Sequence, residues 1–170
     1  EGAPAMLAQV HEIMPAVTRE TGVILRFLAA IRRIPLTIVR DSVTAADYLK
    51  ENLRVLHAVA DDPYVAGCDI VGEEINDIRE LAPFIREVTS LAQRVPSFVI
   101  RIHAGENDSL RDNVANSIAC VKNALHPGQE MPQVRIGHGL YCAKLTSRQG
   151  KELLERLKNH DILLEFQLTS

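Results

Sequence analysis

The sequence is poor in aromatic residues, at 4%, and has no tryptophan. Platforms that stack single-stranded bases are built from such rings, so that class is disfavoured. An excess of positive charge is missing too. The formal net charge is −3 and the Lys and Arg residues are scattered, which leaves no electrostatic footprint for nucleic acid. Cysteine is scarce. Cys68, Cys120 and Cys142 are odd in number and form no Cys-x-x-Cys pair, which argues against a disulfide scaffold and a thiolate zinc ribbon. Isolated cysteines of this kind read as reduced thiols in a cytoplasmic protein. No apolar run reaches the roughly 18 residues that span a bilayer. The longest, Val23–Ile31, is interrupted by Arg26 and stops at Arg32-Arg33. No signal peptide opens the sequence, and no Gly-x-Gly-x-x-Gly or phosphate-binding loop follows any apolar run. The expectation is a cytoplasmic protein with no nucleic-acid and no membrane partner.

What the sequence does contain is alternation. Short β-branched runs at Val23–Ile31, Tyr64–Val71, Phe98–His103, Val134–His138 and Ile162–Gln167 predict five strands. Between them lie helical stripes. One carries Ile78, Leu81, Ala82, Ile85, Val88, Leu91 and Ala92. A second carries Leu110, Val114, Ile118, Val121 and Leu125, and a third Leu153, Leu154 and Leu157. Tyr48–Ala60 and the opening Met6, Val10, Ile13, Val17 behave likewise. Asp41-Ser42, Asp77, Asn107-Asp108 and Ser147 can each cap a helix N-terminus. His126–Pro132, with two prolines and a glycine, predicts a surface loop.

The strand starts recur at about the spacing of a βα unit, which predicts parallel strands joined by right-handed crossovers. The fold class is therefore α/β, in one domain over residues 1–170. Polar groups collect at the carboxyl ends of successive strands: Arg32-Arg33, Gly72-Glu73-Glu74, His103-Ala104-Gly105-Glu106, His138 and Gln167–Ser170. Barrel enzymes place their chemistry on that face. A complete barrel needs eight strands and typically about 250 residues, so five strands predict either a compact five-stranded α/β domain or part of a barrel.

Two motifs carry chemistry. One strand ends in His103-Ala-Gly-Glu106 and the next in Arg135-Ile-Gly-His138-Gly139. A single strand-end histidine is most simply a ring satisfied by nearby backbone. Two on adjacent parallel strands, each beside glycine, point to a site. Imidazole suits zinc, and bound zinc brings the pKa of its water down to about 7. A carboxylate three residues past a ligand can move a proton there.

At these residues the sequence resembles the adenosine deaminase family, metal-dependent purine aminohydrolases of the amidohydrolase superfamily. The preceding strand, Val65-Ala-Gly-Cys-Asp69-Ile-Val-Gly72-Glu73-Glu74, resembles the family's fourth-strand motif, and Ile162–Ser170 its seventh strand. The resemblance spans roughly residues 20 to 170. It implies strands three to seven of a (β/α)8 barrel. It also implies hydrolytic deamination of adenosine to inosine and ammonia. His103 would be a zinc ligand. Glu106, which must carry a proton to donate it, would protonate ring nitrogen N1. His138 would orient or deprotonate the attacking water, and the main chain at Gly72 would hydrogen-bond the purine.

The family's His-x-His pair on its first strand and adjacent aspartates on its eighth have no counterpart here. His11 and His57 are single. Asp61-Asp62-Pro63 precedes a strand instead of following one and reads as a solvated turn. The expectation is that the 170-residue chain alone binds zinc weakly and is inactive, its parent being the deaminase. Exposed sheet edges would invite a homo-oligomer. The alternatives are a related adenine or AMP aminohydrolase, or a catalytically inert deaminase-like binding module. The cytidine-deaminase type is excluded, because His-x-Glu and Pro-Cys-x-x-Cys are both missing.

Other residues have plainer readings. Arg26, Asp69, Arg101 and Glu165 fall inside predicted strands and predict an ion-pair layer. Cys68 and Cys142 read as core fillers, Arg32-Arg33 as a solvated strand end, and His126 and His160 as loop and helix-end residues.

Overall fold

The computed structural model describes residues 2–33 and 44–167. The elements run α1 (Gly2–Thr21), β1 (Phe27–Arg32), α2 (Ala45–Val59), β2 (Val65–Val71), a 3-10 turn (Ile78–Leu81), α3 (Ala82–Arg94), β3 (Val99–Ala104), α4 (Asn113–Asn123), β4 (Gln133–His138), α5 (Arg148–Asn159) and β5 (Leu163–Glu165). The five strands form one parallel sheet in the order β1-β2-β3-β4-β5. This is the repeated βα architecture expected from the spacing. Among the described residues the sheet is open, with β1 and β5 at its edges.

Side chains alternate across the sheet. Cys68, Ile70, Ile100, Ile102, Ala104, Val134 and Ile136 are buried in one core with Ile85 and Val88 of α3, Ile118 of α4 and Leu153 and Leu157 of α5. The opposite face carries Asp69, Arg101, His103 and Arg135, in register across β2, β3 and β4. One face is therefore oily and the other charged, and the carboxyl ends of the strands present the site.

Several local expectations shift by a few residues. Arg26 precedes β1 and is exposed, so it does not join the layer of charges. The β1 register is set by pairing with β2, which begins at Phe27↔Val65 with an irregularity before Leu28↔Gly67. In α1 the buried side is Leu7 and Met14, flanked by Val10 and Val17; Met6 and Ile13 stay exposed. The stripe expected to begin at Ile78 is divided into the 3-10 turn and α3. Pro83 lies in the first turn of α3, where its missing N–H costs nothing, and its ring disfavours a straight continuation from the preceding turn.

Of the caps, Asp77 accepts from Arg79 N at 2.9 Å and Ser147 from Gly150 N at 3.0 Å. Asp41-Ser42 lies outside the described residues, and Thr44 caps α2 through Asp47 N. Asn107 caps no helix. Its Oδ1 accepts from Ser109 N at 3.0 Å in a local turn, and α4 begins only at Asn113. His126–Pro132 is the expected loop, largely exposed. Asp61-Asp62 forms the expected turn before β2, with Asp62 accepting from Tyr64 N at 2.9 Å. His160 caps the C-terminus of α5. Cys68 is fully buried and Cys142 packs at the edge of the core, and burial pushes the Cys68 thiol well above its ordinary value. No described helix is long and apolar enough to cross a membrane.

Ile102 has no solvent exposure and Leu163 is 53% exposed. Truncation to alanine is therefore expected to cost about 2–5 kcal/mol at Ile102 and within about 0.5 kcal/mol of nothing at Leu163. Denaturant unfolding of the two variants checks this.

Candidate metal centre

The centre is built at the carboxyl ends of β3 and β4. His103 is the penultimate residue of β3, on the charged face of the sheet. Its neighbour on β4 is Gly137. A Cβ there would lie 3.3 Å from His103 Cδ2 and 3.2 Å from Arg101 Nη2, so the glycine makes room for both side chains.

His138, one residue on, pairs with Ala104. Strict alternation would turn its ring to the helix side with Ile136. Instead His138 adopts φ 77°, a left-handed conformation that costs a non-glycine residue roughly 1–2 kcal/mol. The two imidazole rings meet edge-on with centroids 5.1 Å apart. His138 is 3% exposed, and its Nδ1 has no hydrogen-bond partner among the described residues.

Glu106 follows the tight turn at Gly105, where φ is 77°. Its Oε2 lies 3.8 Å from His138 Nε2. One donor atom from each of His103, Glu106 and His138 lies within 4.8 Å of the others. Three convergent N and O donors, one of them on a buried ring with an unsatisfied nitrogen, fit a divalent cation; the three could hold one. Two histidines and a glutamate also form a known protein donor set for catalytic zinc. The sequence points to His103 as the ligand, with His138 and Glu106 in proton-handling roles; the fold brings donor atoms of all three together.

The turn that carries Glu106 is tied on every side. Glu74, 1% exposed at the end of β2, accepts from Gly105 N at 2.5 Å, Glu106 N at 2.8 Å and Asn107 N at 3.2 Å. Asn113 Nδ2 adds a fourth bond at 2.8 Å. Gly139 N donates to Ala104 O, and Leu140 N and Tyr141 N both donate to Gly105 O. Arg33 Nη2 donates to His103 O.

Arg33 corrects an expectation. Arg32 is exposed as a strand end should be, but Arg33 is 2% exposed. Burial holds its guanidinium below the ordinary value, and the carboxylates of Glu74, Asp77 and Glu106 offset part of that cost. Neither Arg33 nor Glu74 was distinguishable from its neighbours as a site residue. The one available signal was a pair of glutamates directly after Gly72, whose φ of 104° ends β2.

Gly72 is not among the three donors. It lines an open cleft of about 520 Å³ with Arg32, Glu73, Ile75, Glu106 and Ser109. That volume suits a small organic ligand, and Glu106 sits on its wall.

Below the centre lies the ion-pair layer, formed by three of the four residues expected in it. Arg101 Nη1 contacts Asp69 Oδ2 at 2.6 Å and Arg101 Nε contacts Glu165 Oε2 at 2.8 Å; Arg135 Nη1 reaches Glu165 Oε1 at 3.5 Å. Burial opposes the charge on Arg101, but its bonds to Glu165 and Asp69 outweigh that and hold its pKa above the ordinary value. Burial likewise opposes ionisation of Asp69, and its contacts with His103 and Arg101 hold the carboxyl below the usual range.

The same Arg101 Nη1 lies 2.6 Å from His103 Nε2. A guanidinium has only donors, so it engages the ring's lone pair, which a metal ion would also need. Asp69 Oδ1, at 3.3 Å from that nitrogen, is the more distant neighbour.

Comparison of the chain with protein-family models, with curated proteins and with solved structures finds no match. The chemistry therefore has to be argued from the site itself.

Replacing Arg101 by methionine strips Asp69 and Glu165 of their partner and frees His103 Nε2. Stability is expected to fall by about 3 kcal/mol while affinity for added cobalt(II) rises. Denaturant unfolding and a spectroscopic cobalt titration check the two opposite signs.

Proposed function

We propose that His103, Glu106 and His138 form the metal centre of a hydrolase, and that the reaction is deamination of adenosine to inosine and ammonia, with zinc as the ion. The observation that carries this reading is the convergence of the three donors within 4.8 Å at the carboxyl ends of adjacent parallel strands. That is the face on which βα-repeat enzymes place their chemistry. The order of the motifs along the chain supports the substrate class.

In this reading a bound zinc ion supplies water that ionises near neutral pH. The residues of the chain do the rest. His103 holds the ion. His138, whose buried ring keeps a free nitrogen, orients the attacking water and takes its proton. Glu106 stands on the cleft wall and 3.8 Å from His138, where it donates a proton to N1 of the purine. Protonation at N1 makes C6 electrophilic; water adds there, and ammonia leaves. The main chain at Gly72, on the same cleft, binds the purine edge.

Arg101 favours a second reading. With its guanidinium on the His103 lone pair, the cluster is also self-consistent without an ion, as in an inert module that works by binding.

A titration with zinc or cobalt(II) decides between them. The metal reading expects saturation at one ion per chain, abolished by His103→Ala; His138→Ala is expected to keep the ion if that ring serves as the base and to lose it if the ring is a ligand. Glu106→Gln is expected to keep the ion if Glu106 donates protons, and to lose it if Glu106 is a ligand. Any adenosine conversion, followed by ultraviolet absorbance with zinc present, is expected to fall at least about 100-fold in the same variant, and its absence from the unaltered chain accords with the expectation that this chain alone is inactive. No saturable metal binding by the unaltered chain overturns the metal reading.

A further inference from the structure

We infer that Glu74 is a positioning residue for the metal centre: its buried carboxylate, by accepting the successive amides of Gly105, Glu106 and Asn107, sets where Glu106 and His103 stand. The inference rests on the reading of His103, Glu106 and His138 as a metal centre.

Three consecutive backbone N–H groups converging on one point make the concave nest with which proteins bind free anions. Here the anion is the chain's own. The bonds of 2.5, 2.8 and 3.2 Å take up both carboxylate oxygens, and Asn113 Nδ2 completes the set. The nest depends on the left-handed Gly105. A Cβ at that position would lie 3.0 Å from Gly139 Cα and from Tyr141 O, so any other residue would be strained there.

Two observations separate this arrangement from ordinary core satisfaction. First, a buried carboxylate is costly, and a well-packed apolar residue commonly serves stability as well or better. Second, what Glu74 holds is the turn that leads from His103 at the end of β3 to Glu106. Arg33 grips the same turn at the His103 carbonyl. Amides and carbonyl are thus clamped by opposite charges from β2 and β1. Rotation of the Glu106 peptide would break bonds to Glu74, and the Glu106 carboxylate moves with that peptide. Groups that orient metal-binding residues from behind typically contribute 10- to 100-fold to metal affinity.

The test compares two variants of the whole chain. Glu74→Gln keeps the shape but turns an amide N–H toward the backbone N–H groups, so the nest must reorient. Ile118→Ala empties a buried core position on α4 and removes no bond to Glu74. Both lose stability. Only Glu74→Gln is expected to weaken cobalt(II) binding, by tenfold or more, and to shift the cobalt absorption bands. Ile118→Ala should match the unaltered chain in both. Equal cobalt spectra and affinities in all three proteins overturn the inference while leaving the metal centre standing. Failure of the unaltered chain to bind cobalt overturns the metal reading and the inference with it. Should Glu74→Gln not fold, hydrogen exchange on the unaltered chain takes its place. The amides of Gly105, Glu106 and Asn107 are expected to exchange as slowly as those of β3, and exchange at the rate of the exposed loop at Gly128 overturns the inference.

Discussion

Six polar backbone groups in the turn after β3 have partners supplied by other strand ends, and the candidate site depends on this. An unsatisfied buried N–H or C=O costs about 1–3 kcal/mol, and a parallel sheet offers its own loops no ladder beyond the last strand residue. Here the amides of residues 105–107 go to Glu74 of the β2 end. The carbonyls of Ala104 and Gly105 go to the β4 end, and that of His103 to Arg33 at the β1 end. Four strand ends are thereby fixed relative to one another. That network sets the backbone from which His103, Glu106 and His138 converge.

The charged face of the sheet explains what these ties work against. Asp69, Arg101 and Arg135 stand side by side in register, with Glu165 reaching both arginines. Two adjacent positive charges and two negative ones make a layer that is electrically near balance and half-buried. It holds the strands together beneath the site and also supplies a cation to His103. Arg101 and a metal ion compete for the same lone pair, so occupancy of the centre and integrity of the layer are coupled. The centre therefore has two self-consistent arrangements, and the sign of the Arg101→Met response tells which one the fold prefers.

Much of this could be read from the amino acids. The strands were found within a few residues because buried parallel strands are short, β-branched and regularly spaced. His103 and His138 stand out in the sequence as two histidines at the ends of adjacent strands with glycine close by, and Glu106 follows three residues after the first; the fold brings the three together. Distances between elements were not legible. Glu106 as a third donor depends on the peptide orientation at Gly105, and the Arg101 contact depends on Gly137 leaving space across the strand. Arg33 and Glu74 were hidden for a different reason. Each stands beside an exposed twin, Arg32 or Glu73, and composition cannot say which of two like residues turns inward. Asn107-Asp108 misled because the residue types that cap helices also form local turns.

The backbone of His138 carries the last step. Strain of this kind persists only where the surroundings over-determine it, and it gathers at functional positions. Glycine follows directly at residue 139 and takes the same left-handed conformation at φ 73°, so the chain bends here with one residue that accepts the geometry freely and one that does not. Packing gives no return for the second. The ring is buried, its Nδ1 has no partner among the described residues, and an apolar side chain would fill the space without leaving a polar atom unsatisfied. A strained backbone that buries an unsatisfied imidazole is costly on two counts. A cation held among that ring, the second imidazole and the Glu106 carboxylate would offset both, because it would give a ring lone pair a partner and reward the rotation that brings the ring to the site.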